Sequence, residues 1–168
     1  GGICSCSTTL FNAALRAGFE MGARRNHYYY IDRYPLGLDA TVFISGSGSV
    51  QDMTWTNDTD YPVLIRGYKI RNGNQGYVKF VLYSVPSGRR VSIGNATVRN
   101  VRPASDSVQY TTSLAPGAQQ RIEYPVDGKQ VWRTINVRDR AGKVIRTKTY
   151  YSNYSRITGI VLIGRAAE

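Results

Sequence analysis

Apolar side chains recur every three or four residues between Ser7 and Ala17, near the start of the chain. That period is typical of an amphipathic helix, and it does not return later in the sequence. Ser5 or Ser7 is expected to cap the start of this helix, and Gly18 suits the left-handed cap at its end. We therefore predict one helix, at about residues 5–18.

After the helix the pattern changes to runs of aromatic and β-branched residues separated by turn-forming residues, which is typical of strands. The predicted strands, in chain order, are HYYYIDRY, ATVFI, DMTWTN, YPVLIRGYKI, YVKFVLYSV, RRVSIGNATVRNV, QQRIEYPVDG, KQVWRTINVRDRAG, KVIRTKTYYS and ITGIVLIG. The predicted turns and loops are SGSGS, NDTD, RNGNQG, VPSG, Asp127-Gly128 and Ala141-Gly142. Several of these strands alternate apolar and charged residues, as a sheet with one face in water requires.

Together these elements predict an α+β fold, with one N-terminal helix on an antiparallel sheet followed by a β-rich C-terminal module. The proline-containing stretch RPASDS, at residues 102–107, is the best candidate for a boundary. We therefore predict one domain at residues 1–102 and a small all-β module at residues 108–168.

Composition agrees with a folded protein, since 42% of the 168 residues are hydrophobic and 20% are charged. No apolar run approaches the roughly 18–20 residues that cross a bilayer, so no transmembrane segment is predicted. No basic start leads into an apolar stretch, so no signal peptide is predicted either. Because the chain starts inside what resembles a motif, we expect a mature or excised fragment.

The net charge of +11 is unevenly distributed. Residues 1–60 hold four arginines and six acidic residues, whereas residues 61–168 hold 18 basic and five acidic residues. The excess of basic residues in residues 61–168 favours an anionic partner such as a cell-wall polymer, although a role in solubility alone explains it as well. No nucleic-acid partner is predicted, because the basic residues alternate with apolar ones at strand spacing and no nucleic-acid motif is present.

Cys4 and Cys6 are the only cysteines, and they are too close in sequence to bridge without straining the backbone. Either one of them is chemically active, or both are small buried residues. We expect Cys6 in the core. One histidine and two near-adjacent cysteines cannot supply the usual four ligands, so we predict no metal site and no cofactor.

Three residues are candidates for catalysis. Cys4 lies at the helix N-terminus, where backbone N–H groups and the helix dipole stabilise a thiolate. His27, the only histidine, opens the next predicted strand, and Asp39 starts the strand after it. A thiol nucleophile needs a base, and that base needs an acid to orient its ring, so Cys4, His27 and Asp39 could support acyl transfer or amide hydrolysis. The alternative is that Cys4 and His27 are structural.

Tyr28 and Tyr30, next to His27, are candidates for a sugar- or peptide-binding wall, with core packing as the alternative. Arg133, Arg138 and Lys148, on the basic strands, complete the set of predicted wall-binding residues. The stretch NDTD before Tyr61 offers several oxygen atoms for calcium, but a plain turn explains it as well.

The opening GGICSCSTTLFNAALRAGFEMGARRNHYYYIDRYPLGLDATV resembles the signature block of the VanW family, which takes its name from an accessory protein of vancomycin-resistance clusters. TNDTDYPVLIRGY resembles the family's next block. Ser5 and Cys6 depart from the glutamine and valine expected there, and the family's segment before the two glycines is absent. The tail, with VDGKQVWRTINVRDRAGKV, YYSNY and VLIG, is similar to the five-glycine module of cell-wall-binding proteins.

This resemblance implies an extracellular or cell-surface protein that binds peptidoglycan or another anionic wall polymer. The order of cysteine, histidine and aspartate also resembles that of transglutaminase-like thiol enzymes, although the missing segment favours a chain without catalysis. The alternative function is a structural subunit that assembles with copies of itself through an exposed sheet edge.

Overall fold

A computed structural model describes residues 2–166 of the chain, and Gly1, Ala167 and Glu168 lie outside this description. The fold is mainly β with a single N-terminal helix among the described residues, which is an α+β arrangement. That helix has 15 residues and is neither long nor apolar enough to cross a membrane, and the described residues contain no other candidate span.

Helix α1 spans Ile3–Ala17 and starts two residues earlier than the pattern predicted. Gly2 is its N-cap, and the carbonyl oxygen of Gly2 accepts from the N–H of Ser5 at 3.0 Å. The predicted serine cap is therefore wrong, because Ser5 and Ser7 both lie inside the helix. The predicted C-cap is confirmed: Gly18 has a left-handed φ of 79° and donates to the Leu15 carbonyl at 3.1 Å.

Within residues 2–166, thirteen strands follow the helix, and most of them correspond to runs predicted from the pattern. Their bounds are β1 Glu20–Met21, β2 Phe43–Ile44, β3 Val50–Gln51, β4 Trp55–Thr56, β5 Leu64–Asn72, β6 Gln75–Tyr83, β7 Arg90–Ile93, β8 Thr97–Arg102, β9 Asp106–Thr111, β10 Gln119–Glu123, β11 Gly128–Arg138, β12 Val144–Tyr154 and β13 Gly159–Gly164.

The strands form five small sheets. Strand β11 pairs with β12 on one side and with β7 and β8 on the other, and all of these pairs are antiparallel. Strand β13 lies between β10 and β9 and runs parallel to β9. The three remaining sheets are antiparallel pairs: β1 with β4, β2 with β3, and β5 with β6. The prediction of an antiparallel sheet therefore holds except at β9–β13. The whole β11–β12 hairpin separates β9 from β13 in sequence, which leaves room for a parallel return.

Residues 22–42 contain no strand, so the strand predicted for HYYYIDRY is wrong and ATVFI is reduced to Phe43–Ile44. Backbone groups here bond to isolated partners instead of to a continuous neighbouring strand. The Thr41 N–H donates to the Arg25 carbonyl at 2.8 Å, and the Ser155 N–H donates to the Tyr28 carbonyl at 2.7 Å. His27 and Asp39 accordingly lie in this irregular segment and not at strand starts.

The hydrophobic core joins α1 to the hairpin of β11 and β12. Phe11 of the helix is fully buried and packs edge-on against Tyr150, with ring centroids 5.6 Å apart. Ile135 of β11 belongs to the same buried cluster. Burial raises the pKa of Tyr150 to about 12, although the charges of Arg24 and Arg146 oppose that rise. The core therefore contains residues from both predicted domains, and the boundary at residues 102–107, where β9 already begins at Asp106, stays a prediction.

Candidate functional site

One polar face of α1 lies along the extended segment formed by residues 38–42. Asn12 donates to the Leu38 carbonyl at 2.8 Å, and Thr8 donates to the Ala40 carbonyl at 3.2 Å. One turn earlier, the Cys4 thiol donates to the Val42 carbonyl at 3.6 Å. Residues four apart on a helix share a face, so this stripe brings Cys4 to the segment that carries Asp39.

Both cysteines are free thiols, but they occupy different environments. Cys4 is half-buried against residues 38–42, whereas Cys6 is exposed. The prediction that Cys6 lies in the core is therefore wrong. The two residues are about 200° apart around a helix, so the packing of Cys4 inward turns Cys6 to solvent.

His27 and Asp39 form a hydrogen-bonded pair. Asp39 Oδ2 accepts from the His27 backbone N–H at 2.7 Å and lies 2.7 Å from ring atom Nδ1. Asp39 is only 2% exposed, and its pKa is lowered. Burial alone would raise that pKa, but the hydrogen bonds from His27 and Tyr154 and the charge of Arg24 outweigh it. Because an ionised carboxylate only accepts, Nδ1 carries a proton in this hydrogen bond.

Two further side chains complete the surroundings of Asp39. Arg24 Nη2 forms an ion pair with Asp39 Oδ1 at 2.9 Å, and the same guanidinium donates through Nη1 to Ser152 Oγ at 2.9 Å. The fully buried Tyr154 donates its hydroxyl proton to Asp39 Oδ1 at 2.5 Å. Asp39 thus links the irregular segment to β12.

Sequence reasoning did not identify these partners. Arg24 is part of the run ARRN and could be taken for a solvated charge. Tyr154 is 115 residues from Asp39, and nothing local in the sequence marks the contact.

His27 also borders an open cavity of about 740 Å³. The residues that line it are Arg25, Asn26, His27, Tyr28, Tyr29, Ile31, Thr41, Phe43, Asn153 and Ser155. Two buried polar atoms on this lining, His27 Nε2 and Thr41 Oγ1, have no hydrogen-bond partner among the described residues. Cys4 is not part of the lining. The structure therefore brings His27 and Asp39 together, while the Cys4 thiol bonds to the Val42 carbonyl.

The predicted wall-binding residues are spread over several surfaces. Tyr28 is 73% exposed beside the His27 cavity, and Tyr30 lies under the Lys129 ammonium, which is 4.6 Å from its ring centroid. Arg133 is half-buried. The half-buried Lys148 ammonium donates to the Met21 carbonyl at 2.6 Å. Arg138 is exposed at the end of β11.

Arg138 belongs to a cluster that we call the basic patch, formed by Arg90, Arg138, Arg140 and Lys143. Arg138 and Arg90 are direct register partners across β11 and β7, and all four residues are exposed. The Arg140 guanidinium lies against Gly88, just before β7. The neighbouring acid, Asp139, uses its carboxylate to accept from the Lys143 N–H at 2.9 Å. The four charges therefore share one end of the sheet.

Asp58, within the NDTD stretch, forms ion pairs with Arg89 at 2.7 Å and with Arg146 at 2.6 Å. Its pKa is lowered, because these two bonds outweigh the effect of burial. Among residues 2–166, no three His, Cys, Asp or Glu residues come together as a metal site would require. Both oxygen atoms of the Asp58 carboxylate are therefore used by arginines.

Comparisons with known proteins agree with the N-terminal resemblance. The sequence model of the VanW family, described as VanW like protein, matches residues 1–81. The Bacillus subtilis (strain 168) protein named Uncharacterized protein YoaR is 42% identical over 66 residues. That alignment covers 39% of this chain and 20% of YoaR, so the chain spans about a fifth of that relative.

Two solved G5 domains, the type of module predicted for the C-terminal part, also align with the chain. The G5 domain of an IgA1 protease covers 47% of this chain and 94% of its own length, with 14% identity and a TM-score of 0.30. HP0197-G5 covers 45% of this chain and 97% of its own length, with 19% identity and a TM-score of 0.24. At TM-scores this low, the similarity to these two domains does not establish the fold of this chain.

Proposed function

We propose that the chain, whose residues 1–81 match the model of the VanW family, is an extracytoplasmic cell-envelope protein that binds peptidoglycan or another anionic wall polymer. In this proposal residues 108–168 form the five-glycine-type module of the wall-binding part. The basic patch is the observation that supports it most directly.

Arg90 and Arg138 face each other across two paired strands, an arrangement in which like charges destabilise a sheet. A polyanion that lies across both side chains would relieve this repulsion. Among residues 2–166, the arginines that pair with a carboxylate are Arg24, Arg89, Arg121 and Arg146, and none of them belongs to the basic patch. The patch therefore keeps its charge available for an anionic partner.

The test is cosedimentation with purified cell-wall sacculi, with and without their anionic polymers. We expect the variant Arg90→Gln/Arg138→Gln to bind more weakly by about fivefold for each charge removed, as estimated from the ~1 kcal/mol that a basic side chain gains near an anionic lipid surface. Binding should also weaken as salt is raised, because exposed charges are screened over about 10 Å at 0.1 M ionic strength.

The matched control is Arg66→Gln/Lys69→Gln on the exposed hairpin of β5 and β6, which removes the same charge elsewhere. Equal losses for the two double variants would show a general charge effect without a site at the basic patch. Unchanged binding after removal of the anionic polymers would leave peptidoglycan itself as the partner, and an absence of binding to both preparations would contradict the proposal.

The His27–Asp39 hydrogen bond favours a second candidate, a cysteine-dependent acyl transfer or amide hydrolysis. In that reaction the Cys4 sulfur attacks an acyl carbon as its proton passes to His27 Nε2, and the leaving amine takes that proton as the C–N bond breaks. Water or an acceptor amine then attacks the Cys4 thioester, which releases the acyl group and restores the thiol. The Cys4 thiol would first have to leave the Val42 carbonyl.

Alkylation of the two thiols tests this candidate, with Cys6 as the reference. Cys4 is measured in Cys6→Ser and Cys6 in Cys4→Ser, both between pH 5 and pH 9. Faster alkylation of Cys4 below pH 7, lost in His27→Gln, would support the thiol enzyme. Slower alkylation of Cys4 at every pH would make it structural, as its partial burial predicts.

The hairpin of β5 and β6 favours a third candidate, a structural subunit that assembles with its own copies. It forms a two-stranded sheet, so the outer edge of each strand pairs with no other strand among the described residues. Ile70, Tyr77 and Tyr83 are exposed on one face of it. Sedimentation velocity over a hundredfold range of concentration would reveal such assembly, and a constant monomer would contradict it.

A further inference from the structure

The hairpin of β5 and β6 has an inner and an outer face. Side chains alternate between the two faces of a strand, and the register places the pairs Leu64–Tyr83 and Ile70–Tyr77 on the same one. Leu82, on the opposite face, packs against the hydrophobic core, so that face is the inner one. We call the other side the outer face, and its exposed residues are Leu64, Arg66, Ile70, Tyr77, Lys79 and Tyr83. Neither the basic patch nor the thiol reaction uses it.

The outer face presents apolar side chains to solvent along its whole length. Its four large apolar side chains are between 43% and 64% exposed, and they are Leu64, Ile70, Tyr77 and Tyr83. The half-buried Tyr68 and Val81 lie between these two pairs and continue the apolar surface. The Arg66 guanidinium lies over the Tyr68 ring, 4.9 Å from its centroid. Exposed apolar residues normally occur singly, so four of them on one face indicate an interaction surface.

The charge of the hairpin is entirely positive. Arg66 and Lys79 lie on the outer face, and Lys69 and Arg71 lie close to the turn. All four are exposed, and none of them forms an ion pair with a carboxylate in the described part of the chain. Residues 61–105 contain no acidic residue at all. The hairpin therefore requires a partner that is both anionic and able to cover apolar side chains.

Area and charge decide which partner fits the outer face. Two strands of nine residues make a face about 30 Å long and about 10 Å wide, or roughly 300 Å². A stable dimer buries about 800 Å² on each partner, and a second copy would also bring four more positive charges to this face. A hydrophilic wall polymer would pair with the charges but leave the apolar side chains in water. The surface of an anionic bilayer satisfies both, because its headgroup region accommodates aliphatic and tyrosine side chains and its phosphates attract the basic ones.

We propose that the outer face binds the surface of a bilayer that contains anionic phospholipid. The exposed aliphatic and tyrosine side chains enter the headgroup region, and Arg66 and Lys79 lie at the level of the lipid phosphates. Lys69 and Arg71 contact phosphates beside the turn. This inference goes beyond the proposed wall binding and shares no residue with the basic patch.

The experiment is flotation of the full chain with lipid vesicles. One preparation contains equal parts of phosphatidylglycerol and phosphatidylcholine, and the other contains phosphatidylcholine alone. We expect binding to the mixed vesicles and at least about tenfold weaker binding to the neutral ones, because the four basic side chains gain little there. Binding should also weaken as sodium chloride is raised, since salt screens exposed charges.

The variant Leu64→Thr/Ile70→Thr tests the apolar contribution. It should bind the mixed vesicles about tenfold more weakly, because two aliphatic side chains no longer enter the headgroup region. Both residues are exposed and threonine favours strands, so the fold should persist. The matched control is Val101→Thr/Val108→Thr, which changes two exposed valines on β8 and β9 and should bind normally.

The variant Arg66→Gln/Lys79→Gln tests the charges on the outer face. Its control is Arg99→Gln/Arg156→Gln, which removes the same charge from exposed positions outside the hairpin. The first variant should bind the mixed vesicles at least about fivefold more weakly than the control.

Any of four results would overturn the proposal. The first is an absence of binding to the mixed vesicles, and the second is an equal loss for either variant and its control. The third is release by inorganic phosphate well below the concentration at which sodium chloride of equal ionic strength acts, which would show a phosphate site without a bilayer. The fourth is self-association that Leu64→Thr/Ile70→Thr abolishes, which would assign the outer face to a second copy. Purified sacculi carry no bilayer, so these variants should bind them normally and the two proposals can fail separately.

Discussion

At the scale of single residues, Asp39 holds His27 through two bonds to one oxygen atom. Oδ2 lies 2.7 Å from both the backbone nitrogen and the ring nitrogen Nδ1 of His27, so backbone and ring are fixed together. Arg24 and Tyr154 occupy the other oxygen atom. The histidine ring is therefore oriented whether or not Cys4 reacts, and the same contacts would serve both stability and the proposed thiol reaction. Stability measurements can isolate the first of these roles.

The lowered pKa values of Asp39 and Asp58 predict how stability depends on pH. Each carboxyl has a folded-state pKa below the unfolded value of 3.8, so the unfolded chain binds protons more readily. The stabilisation is fully present above about pH 5 and is lost as the pH falls through 3.8 toward the folded pKa. We expect the urea midpoint to be steady from pH 7 to about pH 5 and to drop below that.

Asp39→Asn tests the contribution of Asp39 to this effect. It leaves the buried Arg24 without its carboxylate, so the free energy of unfolding at pH 7 should fall by about 3–5 kcal/mol, and the decline below pH 5 should become shallower. The control is Asp52→Asn, at an exposed carboxylate, with an expected change within about 0.5 kcal/mol. A variant as stable as the wild type, with the same acid decline, would show that Asp39 contributes little in the folded state.

At the scale of elements, the sequence pattern predicts the helices and hairpins whose backbone hydrogen bonds are local and whose side chains bury one face. Helix α1 follows from its apolar spacing, and β5 and β6 follow from alternation around the turn at Gly73. Residues 27–34 and 40–44 were predicted as strands because aromatic and β-branched residues favour strands. Instead, the His27 N–H donates to Asp39 Oδ2, and the Tyr28 carbonyl accepts from the Ser155 N–H just after β12. The pairing of His27 with Asp39 was within reach of sequence reasoning. The partners that complete it, Arg24 and Tyr154, were not.

The approach of the irregular segment to β11 depends on Gly37. This residue has a left-handed φ of 75°, and a Cβ there would lie 2.9 Å from Val131 Cγ1 and 3.0 Å from Arg133 Cγ. Its N–H also donates to the Tyr154 hydroxyl at 3.1 Å. Gly37→Ala should therefore combine backbone strain with overpacking, and we expect a loss of about 2–5 kcal/mol in the free energy of unfolding.

Gly48→Ala separates the two contributions. Gly48 has a similar φ of 82°, but a Cβ there would meet nothing within 4 Å. Its replacement should lower the free energy of unfolding through backbone strain alone, by about 1–2 kcal/mol. Chemical denaturation of both variants gives the comparison. Equal losses in the two variants would mean that the segment around Gly37 moves away from β11 easily. The contact of Gly37 with Val131 would then not fix the position of that segment.

At the scale of the whole molecule, charge and packing divide the chain differently. The basic excess lies in residues 61–168, and the family match ends at residue 81. The core, however, joins Phe11 and Leu38 to Ile135 and Tyr150 across both parts. A polymer bound at the basic patch would therefore attach to the sheet whose strand β12 contacts Asp39 through Tyr154. The predicted boundary at residues 102–107 can be tested by cutting the chain there.

A protease site inserted between β8 and β9, in the three residues that separate Arg102 from Asp106, allows that cut in the folded protein. We expect the two fragments to elute together in size-exclusion chromatography, because the cut leaves the Phe11–Tyr150 packing and the Asp39–Tyr154 hydrogen bond intact. The same cut in the Asp39→Asn background should let the fragments separate at a lower urea concentration. A matched insertion in the exposed SGSGS loop, away from this interface, controls for the insertion itself. If the fragments of the otherwise unchanged chain separate without denaturant and each keeps its NMR dispersion, residues 1–102 and 108–168 are independent domains, and the shared core contributes little to holding them together.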